Sequence, residues 1–479
     1  MKKLISIILI LTLFTYLCGC QKPQTDNKNS QPSDAANQNE SNLPEVSHPL
    51  DDDNNDKNSQ TTDGTSSTGA TICPPAPNNR LPVVKFSTKD SDVKFTDIVS
   101  LPNGGFAVSG HRYTETKIES IIQIYDKNVT LKKEYTYYDS ISYDKIAACT
   151  DGGYITTSQN GPYLTKISSD FKIEWSTPCE KDCDYSVIHD IEEISPEVIA
   201  VLYITLDSID FSRRLRISYF NKDGTFIETI DLMENIDPQD ANIIADGNGG
   251  FYLLFSCSEE LAEKYPLVAE EYDNSKATEA IIMHFSAKRE LKWVKILGGS
   301  GNDWIEESII DNDGNFYLAV GTNWYETDSF WEMSFDRSMP YRRMLVKLDK
   351  NGNLIYKLPL SNKGMAVDHI FGIHIKDGKT YVVGMADYFD GYQSKYPCEQ
   401  ISKDEKGDRV FCVYNLCIDS NGKEIDRKIF RCDINNEPCD SVMLENGNLI
   451  IAGQISSYEN PFNLNLPSDF YTAAFFVYK

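Results

Sequence analysis

The stretch "LKWVKILGGSGNDWIEESIIDNDGNFYLAVGTN", Leu291–Asn323, decides the fold. A glycine-rich loop, Gly298–Asp303, separates its first two apolar runs. The turn "DNDGN" separates the second run from the third. Turns rich in Asn, Asp and Gly between β-forming runs are hairpin signals. The stretch therefore predicts three consecutive strands joined by one sharp loop and one tight turn.

The glycine-rich loop raises two chemical alternatives. A dinucleotide-binding GxGxxG loop has a third glycine and opens a helix, whereas this loop runs into a strand-like segment. A nucleophile elbow has a glycine two residues after the serine, whereas the residue two positions after Ser300 is Asn302. We therefore interpret the loop as structural and select no catalytic residue.

The same strand and turn pattern recurs along the chain. Its turns read "LPNGGFAVSG", "TDGGYITTS", "DGNGGFYLLFS", "DNDGNFYLAVG", "KDGKTYVVG", "ENGNLIIAG" and, more weakly, "SPEVIAVLY". They place one residue at an equivalent point in each copy: Phe106, Tyr154, Phe251, Phe316, Tyr381, Leu449 and Val198. A second hairpin follows six of these seven, which gives units of four strands, here named a to d.

Repeated four-stranded units are typical of propeller blades. We expect an all-β, seven-bladed β-propeller with four-stranded blades. The strand-like segment "LPVVKFS" near the start of the repeats and "AAFFVYK" near the end of the chain would pair to complete the last blade. This pairing would close the ring and remove an exposed sheet edge.

The opening stretch, together with the later "MLVKLDKNGNLIYK", resembles the bacterial β-propeller repeat called SBBP. Units of that family consist of a tryptophan-bearing strand, a glycine-rich loop with Asn-Asp, a strand, an Asp/Gly/Asn turn and a further strand. One copy in this chain matches closely, and the others keep the turns and the strand rhythm. The resemblance implies a propeller in an exported protein with no fixed catalytic set.

The first residues have the pattern of an export signal. Lys2 and Lys3 precede an apolar run from Leu4 to Leu17 that is too short to span a membrane. The following "LCGC" resembles the bacterial lipobox, which implies that Cys20 is lipidated and becomes the mature N-terminus. The alternative is an ordinary signal peptide cut nearby. We expect a bacterial lipoprotein attached to the cell membrane through its N-terminal lipid, on the extracytoplasmic side.

The composition after Cys20 divides the chain. Residues 1–19 are predicted to be the lipoprotein signal peptide, residues 20–80 a lipidated, acidic and disordered linker, and residues 81–479 the propeller. The linker is rich in Asn, Gln, Ser, Asp and Pro and has few large apolar side chains, so it cannot offset the entropy cost of folding.

The formal net charge of −26 limits the partners. Nucleic-acid-binding proteins carry basic faces, so we expect no nucleic-acid partner. The acidity suits solubility and the attraction of cations or basic partners. We expect a monomer without a cofactor.

Two cysteine pairs have short spacings, Cys179 with Cys183 and Cys432 with Cys439. Outside the cytoplasm such pairs can form disulfides, and we expect disulfides here, with free thiols as the alternative. The turns "DNDGN", "DKNGN" and "DSNGK" are too short for EF-hand loops, and the six histidines show no metal-binding spacing. We therefore expect no metal site.

The connections from strand b to strand c lengthen in the last four units and carry many aromatic residues. Aromatic side chains in long loops on one face of a rigid scaffold suit sugar stacking or protein recognition. The alternative is that they pack beneath the loops. The candidate ligand-binding residues are Trp324, Tyr325, Trp331, Tyr388, Phe389, Tyr392 and Tyr458.

These observations favour a binding or scaffolding module for a carbohydrate, a peptide or a partner protein over an enzyme. The alternative is an exported glycan-active hydrolase or lyase with carboxylates near the central channel. Convergence of carboxylates or a histidine at the channel would favour the enzyme. A flat aromatic rim would favour binding.

Overall fold

A computed structural model shows a chain built from β-strands. It describes residues 83–86, 92–114, 118–137, 143–158, 163–170, 172–179, 186–206, 213–234, 241–257, 265, 278–298, 302–322, 342–360, 365–388, 410–431, 438–456 and 471–478. All of these residues belong to one compact unit, Ile72–Lys479. They form 28 strands and no helix.

The strands form four-stranded antiparallel sheets, which we number as blades. Blade 1 contains β2 (Asp92–Ser100), β3 (Phe106–Tyr113), β4 (Ile118–Tyr125) and β5 (Leu131–Tyr137). Blade 2 contains β6 (Tyr143–Ala148), β7 (Tyr154–Ser158), β8 (Tyr163–Ile167) and β9 (Ile173–Pro178). Blade 3 contains β10 (Ser186–Ser195), β11 (Val198–Leu206), β12 (Arg213–Asn221) and β13 (Phe226–Glu234).

The second half of the chain continues this pattern. Blade 4 contains β14 (Asn242–Ala245), β15 (Phe251–Cys257), β16 (Glu279–Phe285) and β17 (Leu291–Leu297). Blade 5 contains β18 (Asp303–Ile310), β19 (Phe316–Thr322), β20 (Arg342–Leu348) and β21 (Leu354–Pro359). Blade 6 contains β22 (Met365–Lys376), β23 (Lys379–Tyr388), β24 (Val410–Ile418) and β25 (Glu424–Arg431).

One further sheet joins the two ends of the described chain. It contains β26 (Pro438–Met443), β27 (Leu449–Ser456), β28 (Tyr471–Tyr478) and the N-terminal β1 (Val83–Phe86). Strand β1 pairs antiparallel with β28, from Val83 opposite Val477 to Phe86 opposite Ala474. Six of the sheets in the described part of the chain are each made from four strands that are consecutive in sequence. The ring-closing sheet, blade 7, is the seventh, and it combines strands from both ends of the chain.

The innermost strands of neighbouring blades lie against one another in a closed circle. The order of contact is β2, β6, β10, β14, β18, β22, β26 and back to β2. A closed ring of four-stranded antiparallel sheets around a central channel is a β-propeller.

The hydrophobic core lies between the blades. Among the described residues, six buried clusters each join two neighbouring blades. One cluster joins blade 7 to blade 1, and the other five join each blade to the next from blade 1 to blade 6. Phe475 of β28, for example, packs against Phe95 and Phe106 of blade 1, with ring centroids 5.0 and 5.1 Å apart. Packing between the faces of twisted sheets therefore holds the ring together.

The predicted hairpin positions are confirmed. The first strand-b residue is the predicted one in six blades, and in blade 6 β23 begins two residues before Tyr381. Phe106, Phe251 and Phe316 are buried at this position. In the opening stretch, Leu297 ends β17, and Asp303 rather than Trp304 begins β18.

The outer strand of one blade repeatedly docks on the c–d turn of the next. Trp175 of β9 donates its indole N–H to the carbonyl of Lys222, at 2.9 Å, and its ring covers Gly224. Tyr356 of β21 covers Gly422 in the same way. Both glycines have a positive φ, and a side chain at either would collide with the aromatic ring, so the turn and the docking both need glycine.

The predicted disulfide between Cys179 and Cys183 is not supported. Cys179 carries a buried thiol, 1% exposed, in the apolar cluster between blades 2 and 3 that also contains Cys149 and Ile155. Its position just after β9 places it in the core. Cys183 and Cys432 lie outside the described residues, as does the side chain of Cys439. The second pair therefore stays a prediction.

Candidate functional site in the central channel

A repeated backbone irregularity places polar side chains at the channel. Six of the innermost strands carry a β-bulge at an equivalent point, and β14 has no register shift in its described pairing. A bulge bends its strand and re-aims the next side chain. The residues directly after the six bulges are Asp97, Lys145, Asp190, Glu307, His369 and Asp440. We call them the channel cluster.

The channel cluster combines one lysine with four carboxyl groups. Burial alone would lower the pKa of Lys145. The acidic groups of Asp97, Asp190, Asp440 and Glu307 instead raise it above its ordinary value. These partners come from blades 1, 3, 7 and 5, so the electrostatic contacts cross the channel. The lysine is half-buried and stays charged at neutral pH.

Two of the carboxyl groups lie within hydrogen-bonding distance of each other. Burial raises the pKa of Asp440 well above its ordinary value, and a hydrogen bond with Asp97 raises it further. A hydrogen bond between two carboxyl groups requires one of them to be protonated, because like charges this close cannot both ionise. Of the two, Asp440 is the carboxyl group whose pKa is raised, so it holds its proton to higher pH than an ordinary aspartate does.

The other two carboxyl groups titrate near neutrality. Burial raises the pKa of Glu307 to about 7, although Lys145 and His369 oppose that rise. Burial also raises the pKa of Asp190 to about 6, against the opposing effect of Lys145. Groups with such shifted pKa values are enriched at functional sites.

Some of these acids also hold neighbouring blades together. Asp97 accepts hydrogen bonds from the backbone N–H of Ile98, at 3.1 Å, and from that of Ile146 in blade 2, at 2.8 Å. Asp190 does the same for Ile191 and for Ile243 of blade 4, both at 2.8 Å. We call these two residues the blade clamps, because each satisfies an amide of the next innermost strand.

A second layer of groups supports His369. The Glu306 carboxylate, whose side chain is 2% exposed, lies 2.5 Å from Arg343 Nε and 3.7 Å from His369 Nδ1. It accepts hydrogen bonds from the Trp304 indole N–H, at 3.1 Å, and from the Ile370 backbone N–H, at 2.9 Å. Burial alone would raise the pKa of Glu306, but its partners, His369 and Arg343 foremost, lower it. A buried carboxylate thus stays ionised beside an imidazole that is 46% exposed.

The aromatic residues chosen from the sequence lie elsewhere. Trp324, Tyr325, Trp331, Phe389, Tyr392 and Tyr458 fall outside the described residues, and so does the side chain of Tyr388, the last residue of β23. Cys20 also lies outside them. The aromatic face and the lipidation site stay predictions.

The channel cluster was missed at the level of sequence, although a weak signal for it exists. Each member is a polar residue followed by Ile or Ser, shortly before an a–b turn: "DI", "KI", "DI", "ES", "HI" and "DS". Such dipeptides have no meaning alone, because only the shared bulge brings them to one place. Among the described residues, no group of three or more His, Cys, Asp or Glu side chains is arranged to hold a metal ion.

Comparisons with known proteins describe the fold only. No protein-family model and no curated protein matches the chain. A Staphylococcus aureus virginiamycin B lyase, solved as an inactive variant with quinupristin, is 9% identical and aligns over 82% of this chain and 99% of its own, with a TM-score of 0.44. A Bacteroides caccae protein of unknown function is 11% identical and aligns over 71% and 94%, with a TM-score of 0.37. Galerina marginata prolyl oligopeptidase B is 10% identical and aligns over 76% and 47%, with a TM-score of 0.42.

No helix among the described residues is long and apolar enough to cross a membrane.

Proposed function

We propose that this protein is an exported, lipid-anchored binding module whose central channel receives a positively charged group of a peptide ligand. One observation carries the proposal. The bulges of six innermost strands direct four acidic side chains, one lysine and one histidine to one channel. Acidic groups are in excess there, as they are in the whole chain. A lysine or arginine side chain of a ligand would complement that excess.

The charge state of the channel cluster supports a cationic ligand. Lys145 offsets one carboxylate, and the raised pKa of Asp440 reduces the charge of that group, so Asp190 and the partly ionised Glu307 supply most of the remaining negative charge. A bound cation would favour the ionised carboxylates and therefore release protons. Binding should accordingly strengthen from pH 5 to pH 8.

The test compares short peptides of opposite charge by isothermal titration calorimetry on the purified protein. We expect a lysine-rich hexapeptide to bind and a glutamate-rich one not to bind. Glu307→Gln should weaken binding at least tenfold, while Asp170→Asn, at an exposed c–d turn, should leave it unchanged. Equal affinity for both peptides, or an unchanged affinity in Glu307→Gln, would overturn the proposal. Selective binding on a glycan array instead would assign the site to carbohydrates.

A second candidate function is acid–base catalysis on a glycan. The hydrogen bond between the carboxyl groups of Asp97 and Asp440 favours it, since two adjacent carboxyl groups of different pKa can act as acid and base. His369, positioned by Glu306, lies in the same cluster. Hydrolysis or elimination of any glycan by the purified protein, lost in Asp440→Asn, would support this candidate. A broad glycan screen without turnover would exclude it.

A further inference from the structure

A pocket of about 300 Å³ opens at the opposite end of the innermost strands. Ser100 ends β2, His374, Ile375 and Lys376 end β22, and Met443 ends β26. The pocket therefore lies on the side of the a–b turns. His374 is five residues after His369 along β22, which places the pocket ~15 Å from the channel cluster.

The lining combines an apolar majority with a few polar groups, the usual composition of a small-molecule site. Ile309, Ile375, Val442, Met443 and Leu444 supply the apolar surface. The polar side chains are those of Ser100, His374, Lys376 and Glu445.

A hydrogen bond fixes the histidine in its place. His374 Nε2 lies 2.8 Å from Ser441 Oγ, which joins blade 6 to blade 7. A Cβ on Gly372 would come within 2.0 Å of that oxygen, so only glycine leaves room for the pair. A second bulge of β22, between Ile370 and Gly372, sets the orientation of this segment. Burial lowers the pKa of His374 to about 4, so the imidazole is neutral at pH 7.

Lys376 provides the positive charge at the pocket. Its ammonium group donates to the carbonyl oxygen of Leu444, at 2.9 Å, and to that of Glu445. An ammonium group has three N–H donors, so one is left for a ligand. The Glu445 carboxylate lies beside Gly104 in the a–b turn of blade 1, with Oε2 3.6 Å from the place of a Cβ there.

We propose that this pocket binds a small amphipathic carboxylate, with its apolar part among the isoleucine, leucine and methionine side chains and its carboxylate on Lys376. Neutral His374 offers a further hydrogen-bonding group without adding charge. The site is separate from the channel cluster and does not depend on the function proposed for it.

The test uses octanoate as the probe and octylamine as the matched cation. In protein labelled with ¹³C at the methionine methyl groups, we expect octanoate at pH 7 to shift the Met443 signal and to bind at least tenfold more tightly than octylamine. Lys376→Met should reduce octanoate affinity at least fivefold while leaving the tertiary structure, seen in the other methionine signals, unchanged.

A blocking variant separates pocket binding from surface adsorption. Ile309→Trp should abolish the Met443 shift, and basic-peptide binding at the channel cluster should persist in that variant. Equal affinities for octanoate and octylamine would overturn the proposal. Octanoate binding that does not shift the Met443 signal of the wild-type protein would also overturn the proposal. This result does not depend on the folding of any variant.

Discussion

Glu306 and Arg343 show how one buried ion pair can serve both stability and the channel. Both side chains are almost fully buried, 2% and 6% exposed, and the Arg343 guanidinium also lies 4.9 Å from the Trp304 ring centroid. Removing water from two charges is costly, and their attraction offsets that cost only while both are present. The pair therefore makes Glu306 a fixed anion against which His369 is held.

Removal of one partner should be much more damaging than removal of both. Glu306→Ala is expected to lower the free energy of unfolding by about 3–5 kcal/mol, because it leaves the Arg343 charge buried without its counterion. The double variant Glu306→Gln with Arg343→Met should recover a large part of that loss. Urea unfolding measures both values. A loss below about 1 kcal/mol in Glu306→Ala would contradict the buried-pair interpretation.

Single residues also mark the limit of sequence reasoning. Val129 and Arg289 have φ values of 60° and 64°, at c–d turn positions where blades 3, 5 and 6 have glycine. Nothing in their residue type predicts a left-handed backbone. Tertiary contacts account for both: Val129 is buried between blades 7 and 1, and the Arg289 guanidinium stacks 4.2 Å from the Tyr219 ring centroid. Such compensation depends on the neighbouring blade and is invisible in one local stretch.

Among the elements, the innermost strands are joined by side chains as well as by packing. The blade clamp Asp190 bonds two amides on different blades, Ile191 and Ile243. Buried amides without a partner cost about 1–3 kcal/mol each. The clamps therefore stabilise the inner ring, where apolar packing gives way to the channel.

The clamp can be tested by removing its acceptor oxygens. Asp190→Ala should lower the free energy of unfolding by about 2–4 kcal/mol, since two amides lose their partner. Asp190→Asn keeps one acceptor oxygen and should cost less. The exposed Asp170→Ala, which removes a surface pair with Lys172, should leave the free energy of unfolding nearly unchanged. Chemical denaturation measures the free energy of unfolding of the three variants. Equal losses in Asp190→Ala and Asp170→Ala would contradict a stabilising role of the Asp190 hydrogen bonds.

Element by element, hairpins were predictable and bulges were not. The Asn, Asp and Gly turns located the a–b and c–d hairpins, because turn chemistry is local. A bulge depends on pairing with a partner strand, so the shared bulge that defines the channel cluster could not be read from one strand. The aromatic residues between strands b and c were predicted as ligand-binding candidates, because aromatic side chains are conspicuous in polar segments. The acidic, lysine and histidine members of the cluster were not, because charged residues are common throughout this chain.

Over the whole molecule, the ring depends on strand β1. Its pairing with β28 covers an edge that would otherwise display unpaired amides and carbonyls. A chain starting at residue 87 should be less stable than one starting at residue 81 by about 2–5 kcal/mol, from the loss of several hydrogen bonds. It should also associate at micromolar concentration through the open edge. Thermal unfolding measures the stability, and light scattering measures the association state. Two chains that are equally stable and both monomeric would contradict a ring closed by β1.

The half-buried acids of the inner ring also give the whole protein an unusual pH dependence. The pKa of Asp190 is raised to about 6, that of Glu307 to about 7 and that of Glu192, by burial and by Asp190, to about 8. In the unfolded chain these groups ionise near pH 4. Between pH 4 and 8 these three acids therefore bind more protons in the native state than in the unfolded chain, so their contribution to stability falls as the pH rises. His374, whose pKa is lowered to about 4, opposes this fall up to its ordinary pKa of 6.5, but it is one group against three.

We expect greater stability near pH 5 than at pH 8, because these three acids favour the native state while they hold their protons. Below pH 4 stability should also fall, because hydrogen-bonded turn carboxylates such as Asp126, with its pKa lowered to about 2, then become protonated. Glu192→Gln should raise stability at pH 8 and leave it nearly unchanged at pH 4.5, because it removes a carboxylate that is unfavourable only when ionised. Urea unfolding across this range measures the curve. Two results would contradict the raised pKa values of these acids. One is a wild-type protein that is more stable at pH 8 than at pH 5, and the other is a Glu192→Gln variant that is destabilised equally at both pH values.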